Sequence, residues 1–200
     1  TSFDASGLVV GKTSYTGVTY AAVYNTAGQG TTIKGSNGAD TLEGGILTSD
    51  TVDLGAGADT YKYEGASDIV TGGSGNDTFN VDALGTKTSH LVITDLASGD
   101  KLDLAGILAN GSRSAAIGSA VTLNSGTAET LDNYIAAASA GTGGGGTSVL
   151  NHFQFGGNTY IVTDNHNDAG YNVADGIVEI TGLVTLKGAT YSGTDVYTIA

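Results

Sequence analysis

The sequence has no Cys, Pro, Met or Trp, and only seven Lys and Arg against twenty Asp and Glu. Without Cys there is no disulfide, no thiolate nucleophile and no Cys-ligated zinc, so any staple for the fold must be of another kind. Without Pro and without a strict triplet period, the 33 Gly among 200 residues do not build a collagen-like chain. The formal charge of −13 repels DNA, RNA and anionic lipid, so nucleic acid is not an expected partner. No apolar run approaches the roughly 18 residues of a membrane span, and none is expected. The N-terminus, Thr1-Ser2-Phe3, has neither an initiator Met nor a basic stretch leading into an apolar one, and the chain is expected to be a fragment of something longer. What remains is ordinary for a folded protein. With 40% hydrophobic and 14% charged residues, the length suits one domain with a sizeable core or two small ones.

The abundant Gly is organised. Residues 35 to 80 repeat a nine-residue unit, Gly-Gly-x-Gly-x-Asp-x-apolar-x, which Gly72-Gly73-Ser74-Gly75-Asn76-Asp77-Thr78-Phe79-Asn80 matches throughout. The copy from Gly35 through Ser36, Asn37 and Asp40 to Glu43 lacks only the second Gly. The copy from Leu54 through Gly55, Gly57 and Asp59 to Lys62 lacks only the first. Between them, Gly44 to Asp53 has one residue too many, and Tyr63 to Thr71 has Glu64 and Ala66 where Gly is expected. The acids nevertheless keep step as Asp40, Asp50, Asp59, Asp68 and Asp77, and the apolar position as Ile33, Leu42, Val52, Tyr61, Val70 and Phe79.

Each unit reads as a Gly-rich turn followed by a very short strand, with one apolar side chain pointing in and its polar neighbours pointing out. Successive turns then fall on opposite edges of a flattened coil, and two units make one winding. Asp40, Asp59 and Asp77 are expected to stack on one edge, Asp50 and Asp68 on the other. Stacked carboxylates repel unless a cation neutralises them, and carboxylate plus carbonyl oxygen is the ligand set of a hard ion, with calcium the natural candidate. The alternative is that these are ordinary solvated turn residues. In the first reading the middle carboxylate, Asp59, serves an ion on either side, whereas Asp40 serves one. The Asp50 edge, with its inserted residue and missing Gly, is expected to bind weakly or not at all.

These nonapeptides resemble the RTX family, whose repeats wind into a parallel β-roll with calcium in the turns. The following Val92-Ile93-Thr94-Asp95-Leu96-Ala97-Ser98-Gly99-Asp100-Lys101-Leu102-Asp103-Leu104 is similar to the segment that closes such a roll. The resemblance implies an all-β dominated fold, a parallel β-roll over 31–104 with flanking strands and one short helix. It implies calcium ligands in the turns, through Gly35, Asn37, Asp40, Gly44, Asp50 and Gly55, then Gly57, Asp59, Asp68, Gly72, Ser74 and Asp77, with Asp95 and Asp100 in the closing segment. Phe153-Gln154-Phe155-Gly156-Gly157-Asn158-Thr159-Tyr160-Ile161-Val162 is similar to a sequence near the C-terminus of bacterial S-layer proteins exported by type I secretion. The terminal Val196-Tyr197-Thr198-Ile199-Ala200 resembles the apolar tail of such substrates. Together they imply a secreted structural module on the bacterial cell surface that self-associates in an S-layer lattice and engages the type I secretion machinery. Two alternatives stay open: the calcium-binding secretion domain of an exported RTX enzyme or adhesin, and a module that binds cell-surface polysaccharide. Seven scattered basic residues provide no stripe for an acidic glycan.

Outside the repeats, residues 1–30 alternate apolar and small polar residues, as in Gly17-Val18-Thr19-Tyr20-Ala21-Ala22-Val23-Tyr24, and read as strands that enter the roll and cap its open end. Residues 105–200 read as a β-rich region with one helix. That helix is expected over 127–138, with a Thr N-cap, an acid in its first turn and Leu131, Ile135 and Ala138 on one face, followed by a loop at Gly143 to Gly146. Val149 to Phe155 and Asn158 to Thr163 read as a hairpin around Gly156-Gly157, and Ile177 to Thr181 and Val196 to Ile199 as the last strands. Asp164, Asp168 and Asp175 stand at the first, fifth and twelfth places of an EF-hand-like loop, although His166 and Ala169 break the pattern. That segment is either a further calcium site or a loop of turn formers. His90, His152 and His166 are scattered, no zinc-protease, nucleophile-elbow or phosphate-loop motif occurs, and no enzymatic role is assigned.

Overall fold

The computed structural model describes residues 2–8, 16–22, 28–108, 117, 120–140, 148–165, 170–186, 190–191 and 195–200. The expected Gly143–Gly146 loop, Val23, Tyr24, His166, Asp168 and Ala169 lie outside them. The repeats fold as short strands joined by turns: β1 (Ser2–Asp4), β2 (Thr19–Ala21), β3 (Thr32–Lys34), β4 (Thr41–Glu43), β5 (Thr51–Asp53), β6 (Thr60–Tyr63), β7 (Ile69–Thr71), β8 (Thr78–Val81), β9 (Leu91–Ile93) and β10 (Lys101–Asp103). After them come α1 (Leu131–Ala138), β11 (Val149–Phe155), β12 (Asn158–Asp164), β13 (Gly176–Ile180), β14 (Thr190–Tyr191) and β15 (Val196–Thr198). Alternate strands go to alternate sheets. One sheet runs β1-β3-β5-β7-β9-β13-β12-β11 and the other β14-β15-β10-β8-β6-β4-β2, with every pair from β1 to β10 parallel. This is the parallel β-roll expected from the repeats, with two strands to a winding.

The period of nine produces this shape because each strand is only three or four residues long. The repeat's apolar side chain in each strand faces inward, and in-register stacking sets these residues of successive windings on top of one another, about 4.8 Å apart. In the first sheet the column is Phe3, Ile33, Val52, Val70, Ile93 and Ile180; in the second it is Tyr20, Leu42, Tyr61, Phe79, Leu102 and Tyr197. The six repeat positions Ile33, Leu42, Val52, Tyr61, Val70 and Phe79 are all fully enclosed. Burial of each such side chain contributes roughly 1.5–3 kcal/mol. Tyr63 and Val81 are enclosed as well, because β6 and β8 run two residues past the repeat's apolar position and place a second side chain on the inward face, and Leu54, directly after β5, is enclosed in the same way.

Strands β1 and β2 extend the roll by one strand in each sheet. β1 stacks in parallel on β3 and β2 on β4, and their inward Phe3 and Tyr20 rings stack across the end of the core, 4.2 Å apart at 11°. At the other end the C-terminal region is built into both sheets. β13 pairs in parallel with β9 and antiparallel with β12, while β15 lies antiparallel on β10 and brings Tyr197 into the core. The expected hairpin is present as β11 and β12, its turn made by Gly156 and Gly157, whose φ of 60° and 90° suit a two-residue hairpin loop. Strand alternation divides these strands between two cores. Leu150, Ile161, Val178 and Ile180 join the roll interior, whereas Phe153, Tyr160, Val162 and Ile177 face outward and are covered by Ile135 and Ala138 of α1.

The helix is shorter than the pattern over 127–138 suggests. It begins at Leu131 because Thr130 holds the extended cap conformation and its side chain accepts from the Asn133 N–H at 3.3 Å, while the Thr127 N–H is used in a turn with the Asn124 carbonyl. Asp132 is the acid of the first turn.

The turns pack as tightly as the strands. Gly75 has φ 140°, and a Cβ there would lie 1.5 Å from the Gly57 carbonyl oxygen of the winding before. Gly75→Ala is therefore expected to cost about 3 kcal/mol or more, read as a fall in melting temperature on the order of 10 °C.

Candidate metal centre

The acid of each turn sits directly before a strand, where its carboxylate reaches back one winding and accepts the backbone N–H of the equivalent acid. On the first edge the Asp40 N–H donates to Asp59 Oδ1 at 2.7 Å, the Asp59 N–H to Asp77 Oδ1 at 2.9 Å, and the Asp77 N–H to Asp100 Oδ1 at 2.9 Å. The column starts with the Val18 N–H on Asp40 Oδ1 at 2.6 Å. On the second edge the Thr31 N–H donates to Asp50 Oδ1 at 2.6 Å and the Asp50 N–H to Asp68 Oδ1 at 2.8 Å. The two sets of acids thus stack on opposite edges in the register given by the repeat, and Asp100 of the closing segment is the last member of the first set. All six are buried.

The remaining oxygens separate the two edges. Asp40 Oδ2 accepts the Ser36 N–H at 2.5 Å and Asp100 Oδ2 the Ala97 N–H at 2.8 Å. Asp50 Oδ2 accepts the Gly45 N–H at 2.6 Å and Asp68 Oδ2 the Tyr61 hydroxyl at 2.7 Å. Asp59 Oδ2, in the middle of the first edge, is buried with no donor among the described residues. An unpaired buried carboxylate oxygen is costly, and the electrostatics follow. Burial raises the Asp59 carboxyl to about 6, opposed by the Asp40 N–H and reinforced by the charges of Asp77 and Asp40. Burial likewise raises Asp77 to about 6, with Asp100 and Asp95 adding repulsion. Asp68 rises to about 7, again through burial, against the lowering effect of Tyr61 and the Asp50 N–H.

The Gly-rich turns carry the acids by interlacing their backbones. The Ser36 carbonyl accepts from the Ala56 N–H at 3.1 Å, the Gly55 carbonyl from the Ser74 N–H at 3.0 Å, and the Ser74 carbonyl from the Gly57 N–H at 2.9 Å. Gly35 donates its N–H to the Asp53 carbonyl and Asn37 to that of Leu8. Asp95 closes the stack, taking the Gly72 and Gly73 N–H groups on its two oxygens at 2.7 and 2.8 Å. Among the described residues no three His, Asp or Glu side chains converge on one point. A hard cation beside Asp59 would therefore draw most of its ligands from turn carbonyl oxygens, with the Asp59 carboxylate as the charged member. The donor set is all oxygen, one buried carboxylate oxygen is unpaired, and neighbouring acids repel it. The first edge fits calcium on these grounds.

The EF-hand-like segment is organised differently. Asp175 accepts the Asn165 and Asn172 N–H groups at 2.9 and 2.8 Å and so closes the loop on itself; Asp164 is buried at the end of β12, and Asp168 is outside the described residues. His90 and His152 do not meet. His90 bridges from the loop before β9 to β13, with Nε2 3.0 Å from Glu179 Oε2 and Nδ1 2.8 Å from the Thr86 carbonyl. Sequence reasoning missed the Tyr61 hydroxyl as part of the acid edge. Its signal was a Tyr at an inward position held in the adjacent windings by Leu42 and Phe79. Comparison with protein-family models and with curated protein sequences gives no match to this chain.

Proposed function

We propose that the chain is a calcium-dependent structural module of a bacterial surface-layer protein, exported by type I secretion. The observation that carries the calcium part is the buried, donorless Oδ2 of Asp59 within a stack of acids. Calcium there supplies the positive charge that the stack lacks; Asp59 and Asp77 hold it with the turn carbonyls, and Asp40 and Asp100 keep the register on either side. The surface-layer and export part rests on the resemblance of Phe153 to Val162 and of the Val196–Ala200 end. A chain of this kind is less stable where calcium is scarce and more stable where it is plentiful, which suits export before folding is complete. No helix among the described residues is long and apolar enough to cross a membrane.

The test is a circular dichroism titration of the chelated chain with calcium chloride. Free calcium at about 100 times the dissociation constant stabilises the native state by about 2.7 kcal/mol per site, so the melting temperature should rise by several degrees for each ion bound. Identical spectra and melting curves in chelator and in calcium would overturn the reading.

A further inference from the structure

We propose that the Tyr61 hydroxyl takes the place of a cation on the second edge, so that this edge is closed without metal and calcium binds only on the first. The inference rests on the calcium reading above and refines it. Both edges stack acids in the same way, through Oδ1 and a backbone N–H one winding away. They differ in what meets the other oxygen. On the second edge a proton donor reaches each one: the Gly45 N–H at Asp50 and the Tyr61 hydroxyl at Asp68. On the first edge Asp59 has none.

The Tyr61 contact has a shaped place. Tyr61 is inward and fully enclosed, with Leu42 and Phe79 as its column neighbours, and neither of those carries a polar atom to deliver. Its ring spans the interior and the hydroxyl emerges at the opposite edge from Asp59, against an equally enclosed Asp68. Gly44 completes the arrangement. A Cβ at that position would lie 2.3 Å from the Tyr61 oxygen and 2.6 Å from Asp68 Oδ2, so only Gly leaves space for the pair. Gly44, which the repeat offers as a metal-binding turn residue, serves instead to admit the hydroxyl. An enclosed phenol donating to a carboxylate satisfies the oxygen as a cation would, without needing further ligands.

The experiment counts calcium by isothermal titration with calcium chloride alone on the chelated wild type, Asp68→Asn and Asp59→Asn, and compares melting temperatures of Tyr61→Phe and wild type in chelator and in calcium. Asp68→Asn should bind as many ions as wild type, and Asp59→Asn at least one fewer. Tyr61→Phe should melt several degrees below wild type in chelator, and calcium should close that gap, since the freed oxygen can then take an ion. Loss of an ion in Asp68→Asn while wild type binds normally would overturn this assignment and leave the calcium reading standing. A Tyr61→Phe gap unchanged by calcium would overturn it too, and remains readable if Asp68→Asn fails to fold. Absence of calcium binding by the wild type would remove the calcium reading itself.

Discussion

Asp59→Asn is expected to melt above the wild-type chain in chelator at pH 8 and below it in saturating calcium. In chelator the wild type carries a charged carboxylate whose Oδ2 is buried without a donor, between the carboxylates of Asp40 and Asp77. Replacing it by an amide removes the charge, keeps an acceptor for the Asp40 N–H, and supplies an N–H₂ in place of the unpaired oxygen. The gain is on the order of 2 kcal/mol, discounted for solvent screening from the roughly 3 kcal/mol that a displacement of this carboxyl from 3.8 to about 6 corresponds to. For a chain of this size that is roughly 4–8 °C. In calcium the sign reverses, because the amide lacks the charge that holds the ion and the variant forgoes the stabilisation that binding gives. Thermal melting of both proteins under both conditions checks the crossing. An Asp59→Asn chain that is less stable than wild type in both would show the carboxylate to be a structural acceptor and nothing more.

The metal-free chain should also lose stability as pH rises through the range from about 4 to 7. Asp59 and Asp77 sit at about 6 in the folded chain and Asp68 at about 7, all raised by burial above the ordinary value of 3.8. A carboxyl raised on folding binds its proton more tightly in the native state than in the unfolded one. Its contribution is fully present below the unfolded value and is lost as pH rises through the folded value. Three such groups act in the same direction. Chelated protein should therefore melt highest near pH 4–5 and several degrees lower at pH 8. Calcium replaces the protons on the first edge, so the decline should flatten when it is added, and the remaining slope should belong to Asp68. A metal-free melting temperature that climbs between pH 5 and pH 8 would contradict the burial that sets these values.

The roll was legible in the sequence because a nine-residue period is a geometric statement. A turn that needs Gly, one inward side chain and an acid at a constant offset can stack only in register, and Ile33 to Phe79 and Asp40 to Asp77 fall where that period puts them. The hairpin at Gly156-Gly157 was legible for a similarly local reason, since two consecutive positive φ angles demand residues without Cβ strain. The helix start was less so. Thr127 and Thr130 both offer a capping side chain, and the choice depends on which backbone is already held in a turn.

By itself, then, the sequence determined the winding, the inward columns and the two stacks of acids, all set by spacing along the chain. The tertiary structure alone decided three further things. It joined β13 to β9 and β15 to β10, because unpaired backbone groups at the end of each sheet take whichever strand the chain brings back, and no local pattern names that strand. It divided the hairpin residues between two cores, which depends on what lies on each face of the sheet. And it made the two acid edges chemically unlike: the Tyr61 side chain crosses the interior to Asp68 while Asp59 stays without a donor. That contact joins side chains seven residues apart, one pointing inward from β6 and the other on the second edge. Its reach is set by the width of the roll and by the space that Gly44 leaves open, neither of which is written in the order of the residues.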